Sequence, residues 1–141
     1  MKQLLLLMGM VGVSVSVSAA DFCERMPVDP EFPAGLNGSY EILGKDPVTE
    51  VSYTGTLVLS YSKDSYKLSR TIQGRIVNGN AWIERCGVDK IETLIVRYDT
   101  EPVIEMTCTF GTDGDNYYRT TCRARQGKHQ WRGLEAWFQQ K

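Results

Sequence analysis

The chain has 141 residues, 16 Lys and Arg against 17 Asp and Glu, and 42% hydrophobic residues. That length suits a single domain able to bury its own core, and a formal charge of −1 lacks the basic excess of a nucleic-acid binder. Beyond the first twenty residues, no stretch is long and apolar enough to span a bilayer as a helix.

Residues 1–20 read as a signal peptide. Lys2 supplies the positive charge, Leu4 to Val17 an apolar run too short for a comfortable span, and Ser18, Ala19 and Ala20 the small residues at which a signal peptidase cuts. Cys23 follows Asp21 and Phe22 rather than the small residues of a lipoprotein box, so a lipid anchor is not expected. The expected address is periplasmic or secreted. All four cysteines (Cys23, Cys86, Cys108 and Cys122) lie after the cut, and an even set in an exported chain reads as disulfides.

Residues 21–37 carry Pro27, Pro30 and Pro33 with little periodicity and read as an extended arm. From residue 38 to residue 141 apolar residues alternate with polar ones, the mark of half-buried strands. Candidate strands run Gly38–Leu43, Val51–Tyr61, Ser65–Gln73, Arg75–Cys86, Ile91–Tyr98, Val103–Phe110, Asn116–Arg125 and Trp131–Phe138, separated by turn-forming residues. The expected fold is all-β: an antiparallel up-and-down barrel of about eight strands, closed so that no sheet edge is left open. A β-sandwich has the same periodicity and is the alternative.

Parity along the strands assigns faces. Cys108 and Cys122 share inward parity on neighbouring strands, which favours Cys108–Cys122, with Cys23–Cys86 tying the arm to the barrel. Spacing by itself leaves three connectivities open. Tyr40, Tyr53, Tyr61, Tyr66, Tyr98 and Tyr118 also fall on inward positions, as does Arg70. An inward arginine needs a partner, and Glu135 or a ligand anion would supply one. Tyr40, Tyr53, Tyr66, Arg70, Tyr118 and Glu135 are therefore the candidate lumen residues for a small amphipathic ligand; the alternatives are a filled core, or a strand bulge that turns Arg70 outward.

Charge is uneven. From Asp21 to Asp64 there are eight acidic and three basic residues, and from Asn116 to Lys141 six basic and one acidic. Tyr117, Arg119, Arg123 and Arg125, with Arg132 just beyond, form a candidate face for a carboxylate-bearing or phosphate-bearing partner. A solvated outer face paired with Glu105 explains the same residues.

Catalytic chemistry finds little support. His129 is the only histidine, in a polar Gly127-Lys128-His129-Gln130 turn, with no nucleophile motif to serve. No Cys-x-x-Cys pair supports a metal, Asp113-Gly114-Asp115-Asn116 lacks the spacing of a calcium loop, and no dinucleotide fingerprint points to a cofactor. A non-enzyme without cofactor or metal is expected. Asn37-Gly38-Ser39 fits a glycosylation sequon and equally a turn before the first strand.

Gly38-Ser39-Tyr40 at the opening of the first strand, followed by a strand meander, resembles the start of lipocalin-like and avidin-like (calycin-type) barrels. Those open with Gly-x-Trp, so Tyr40 departs from the pattern, and Trp82, Trp131 and Trp137 do not reproduce the avidin set of binding tryptophans. The resemblance implies a ligand-holding barrel. Exported bacterial lysozyme inhibitors are similar in size, strand content and disulfide use, without a motif that this chain matches. Two functions follow: an inhibitor-like or immunity-like module that engages a protein, or a carrier of a small amphipathic ligand. A lumen filled by Tyr53, Leu57, Met106 and Tyr118 favours the first; an open cavity around Arg70 favours the second.

Overall fold

The structure is a computed structural model that describes residues 22–28, 35–46, 49–114, 117–126 and 129–140, without the side chains of 125–133. The leader at residues 1–20 lies outside the described residues, as do Pro30, Pro33, Asp115, Asn116, Gly127 and Lys128.

Among the described residues nine strands form: β1 Cys23–Arg25, β2 Gly38–Lys45, β3 Ser52–Ser62, β4 Ser65–Ile72, β5 Arg75–Cys86, β6 Ile91–Tyr98, β7 Ile104–Thr112, β8 Tyr118–Gln126 and β9 His129–Gln139. From β2 to β9 each strand pairs antiparallel with the next, and β2 pairs with β9. That last pairing closes an eight-stranded barrel and excludes the sandwich. β1 adds to the edge of β5 beyond the point where β4 ends, with Cys23 opposite Cys86.

Period-two alternation decides the faces. Tyr40 and Ile42 of β2, Leu57 and Leu59 of β3, Leu68 of β4 and Leu94, Val96 and Tyr98 of β6 all point inward and are buried. Register through β4 is continuous from Tyr66 to Ile72, so no bulge intervenes and Arg70 faces inward. One irregularity lies at the other side of the same barrel end. There a two-residue step in β8, Arg123 to Arg125, meets a four-residue step in β9, Leu134 to Gln130.

The two ends of the barrel differ. At one end the described parts of the arm meet the barrel, with Val28 and Leu36 buried in the core. Hydrogen bonds tie the arm there, among them Met26 N donating to Ile83 O at 2.9 Å, Tyr40 Oη to Leu36 O at 2.5 Å, and Gln139 Nε2 to Gly35 O at 2.8 Å and Asn37 O at 3.0 Å. Ring pairs Tyr40–Trp137, Tyr61–Tyr66 and Phe110–Tyr118 pack edge-on or tilted beneath it, with centroids 6.1–6.3 Å apart. Such pairs fill volume well and add about 0.5–1.5 kcal/mol each beyond their buried area. Among the described residues this half of the lumen is filled by packed apolar and aromatic side chains. The opposite end, ringed by the β2–β3, β4–β5 and β6–β7 connections, is the mouth.

Two disulfides brace this frame. Cys108–Cys122 joins directly opposed residues of β7 and β8, with Cα atoms 4.0 Å apart and both side chains fully buried. Cys23–Cys86 pins β1 to β5 with Cα atoms 4.1 Å apart. Loop-closure entropy scales with the 14-residue and 63-residue separations and assigns them about 3 and 4 kcal/mol. Both are compatible with an oxidising, exported location.

Candidate functional site

Sequence order builds the mouth. Gly44 in β2 lies opposite Tyr53 of β3 on one side and Glu135 of β9 on the other. Having no side chain, Gly44 lets the Tyr53 ring lie across it: a Cβ there would sit 2.3 Å from Tyr53 Cζ. The Tyr53 hydroxyl thereby reaches over β2 and donates to Glu135 Oε2 at 2.6 Å. Arg70, from β4, donates from Nη1 to the same oxygen at 2.9 Å. Trp137 Nε1 donates to Glu135 Oε1 at 2.8 Å.

Three donors thus converge on one carboxylate whose residue has no exposed surface. A buried carboxylate without partners would cost several kcal/mol, so this convergence is what allows Glu135 to be there. Arg70 also lies over the Tyr98 ring, with Cζ 4.1 Å from its centroid, a cation–π contact strengthened by the dry surroundings. Burial opposes the charge on Arg70, but Tyr98, Glu135 and Tyr53 together outweigh it and hold the guanidinium above the ordinary arginine value. Burial, and then Glu135, push the Tyr53 and Tyr98 hydroxyls up. Arg70 Nε is buried and has no hydrogen-bond partner among the described residues.

Above this network lies a cavity of about 290 Å³. Arg70 and Tyr53 line it, with Ile72, Ile104, Met106, Ala124, Val51 and Leu134 as apolar wall and Lys45, Asp46, Thr49 and Gln73 toward the rim. The β8–β9 irregularity falls between Ala124 and Leu134, both of which line this cavity.

The six candidate lumen residues all face inward but separate into two groups. Tyr53, Arg70 and Glu135 meet at the mouth. Tyr40, Tyr66 and Tyr118 belong to the packed half: Tyr40 and Tyr66 are fully buried, and burial pushes the Tyr40 hydroxyl up and Tyr66 up to about 12. The lumen is therefore filled by Leu57 and Tyr118 yet open above Arg70, so each of the two expectations describes one half. Sequence reading missed Gly44, which makes room for Tyr53, and Trp137, although Trp137 shares the inward parity of Glu135.

The candidate partner face is narrower than the sequence suggests. Arg119 and Arg123 project outward from β8. Arg119 is occupied by Asp113 Oδ2 at 2.9 Å and stacks over the Phe138 ring with Cζ 5.1 Å from its centroid. Arg123 lies opposite Thr107 on one side and Leu134 on the other. Tyr117 precedes β8, where Asp113 accepts its N–H in the β7–β8 connection, rather than joining the outward row. The side chains of Arg125, Arg132 and His129 lie outside the described residues. Beside the arginines, Leu43, Leu134 and Phe138 are 52%, 51% and 37% exposed, a run of apolar surface across β2 and β9.

Among the described residues, one trio could converge on a cation: Cys23, Glu84 and Cys86. Both of its sulfurs are consumed by the disulfide. No helix among the described residues is long and apolar enough to cross a membrane. No protein family, curated protein or solved structure matches this chain.

Proposed function

We propose that the protein is an exported, non-catalytic binding protein, periplasmic or secreted, whose site is the barrel mouth above Arg70 and whose ligand is a small amphipathic molecule. One observation carries this reading. The barrel is packed solid at its arm end and left open at the other, over a buried polar network that the fold has to stabilise. A domain built only as a scaffold gains nothing from placing Arg70 and Glu135 inside, because an apolar pair of similar volume is often as stable. The cavity is small but lies near the lower end of ligand-site volumes, with an apolar wall and a few fixed polar groups.

Thermal unfolding in the presence of six- to ten-carbon alcohols, amides and carboxylates tests this. At least one class should raise the midpoint by mass action, and Ile104→Trp, which fills the cavity, should abolish the rise. Equal shifts in both proteins, or none in either, would remove the mouth as the site.

The run of Leu43, Leu134 and Phe138 beside Arg119 and Arg123 supports a second reading. On that reading the protein is an inhibitor-like or immunity-like module, and this outer face docks an acidic protein surface through an apolar centre with a basic border.

A further inference from the structure

The charge state of the mouth narrows the ligand. Resting on the mouth as the binding site, we infer that the cavity takes a neutral amphipathic molecule with a hydrogen-bond acceptor at its head, such as the carbonyl of an amide, ester or ketone. The head would lie against the Arg70 guanidinium, and the apolar tail along Ile72, Ile104, Met106 and Leu134.

Three observations support this class. First, Arg70 is the more buried of the two cations that line the cavity among the described residues, and its charge is already answered by Glu135 at 2.9 Å. An incoming carboxylate would meet the field of Arg70 and Glu135 together, and these nearly cancel. It would lose its hydration without a net Coulombic return, which disfavours the charged form strongly. Second, the polar group at the cavity floor only donates: Arg70 lines the cavity, and a guanidinium carries N–H donors and no acceptor. The Glu135 oxygens are taken by Tyr53, Arg70 and Trp137. A head group that accepts therefore fits, and an ammonium does not. Third, the volume of about 290 Å³ is about twice that of an engineered apolar cavity that holds benzene, so a ligand of roughly ten non-hydrogen atoms is accommodated. The nearest rim cation, Lys45, is engaged by Glu50 at 3.5 Å, which lessens its pull on an anion.

Octanamide and octanoate make a matched pair of probes, with the same tail and heads that differ in charge. Isothermal titration of the full folded chain at pH 7 should show octanamide binding at least about tenfold more tightly than octanoate, with an affinity that salt leaves unchanged. Glu135→Gln removes the compensating charge while keeping the shape, and should move the preference at least about tenfold toward octanoate. The comparison in the unaltered protein decides the matter even if that variant fails to fold. Octanoate binding as well as octanamide, or better, would overturn the neutral-head inference. If Ile104→Trp abolished that binding, the mouth would still stand as the site. No binding of either probe, or binding that Ile104→Trp leaves intact, would overturn both the inference and the mouth reading.

Discussion

The Arg70–Glu135 pair lends itself to a double-mutant cycle whose size follows from burial. Glu135 has no exposed side-chain surface and Arg70 has 12%, so the pair lies far from the regime in which ion pairs contribute about 0–1 kcal/mol. Arg70→Met leaves the carboxylate with two donors, Tyr53 and Trp137, and an uncompensated charge, at a cost of about 3–5 kcal/mol. Glu135→Gln keeps one acceptor oxygen, enough for one of those two donors, and strands the guanidinium. The Tyr98 ring and the adjacent cavity soften that loss to about 2–3 kcal/mol. In the double variant no buried charge remains, so its cost falls well below the sum of the two, with a coupling of at least about 2 kcal/mol. Urea unfolding at pH 7, followed by tryptophan fluorescence with both disulfides oxidised, measures all three variants. Equal m-values would show that the transitions compare like with like. Additivity within about 0.5 kcal/mol would refute the reasoning, because it would mean that the two groups do not interact in the folded protein.

Three further outcomes are expected. Gly44→Ala places a methyl group 2.3 Å from Tyr53 Cζ and forces the ring off Glu135, costing about 1–3 kcal/mol in urea unfolding; combined with Tyr53→Phe, the two losses should not add. Burial first of all raises the hydroxyls of Tyr40, Tyr53, Tyr66 and Tyr98, so the folded state holds these protons more tightly than the unfolded chain does. Their contribution to stability is therefore complete below pH 10.0 and is lost as pH climbs toward about 12; phenolate absorbance from these four rings should appear together with unfolding, and reversible ionisation near pH 10 in the folded protein would contradict the packing. On the outer-face reading, reversing Arg119 and Arg123 to glutamate should abolish capture of an acidic partner from periplasmic or extracellular fractions and weaken its salt dependence, and unchanged capture would discard that reading.

Much of the architecture was legible because strand periodicity is strict. Arg75–Cys86 and Ile91–Tyr98 form strands with the expected bounds, while others extend a residue or two into their turns, as β2 does to Lys45 and β7 to Thr112. Parity also puts Arg70 and the paired Cys108 and Cys122 inside, since one residue of slip would turn each of them to solvent, and Glu135 follows as the partner that an inward Arg70 needs. The Cys23–Cys86 tie of the arm was legible, but its strand and its core contacts were not. Its strand is three residues long, too short for a period, and its position depends on Cys23 meeting Cys86. Val28 and Leu36 read as isolated apolar residues among prolines, yet both enter the core, because the arm end of the barrel supplies an apolar surface that no local pattern reveals. The cavity was equally hidden. Parity says which side chains point inward, but not that aromatic rings fill one end while Gly44 and the β8–β9 irregularity loosen the other.

The most direct test of the mouth as a binding site is methyl-resolved NMR of the folded protein titrated with octanamide. The methyl groups of Ile104, Met106 and Ala124 should shift together along one saturable curve, while Ile42 and Leu57 in the packed half and Leu43 on the outer face stay still. Shifts centred on Leu43 with the mouth methyls unmoved, or no saturable shift at any of them, would contradict the mouth as the binding site.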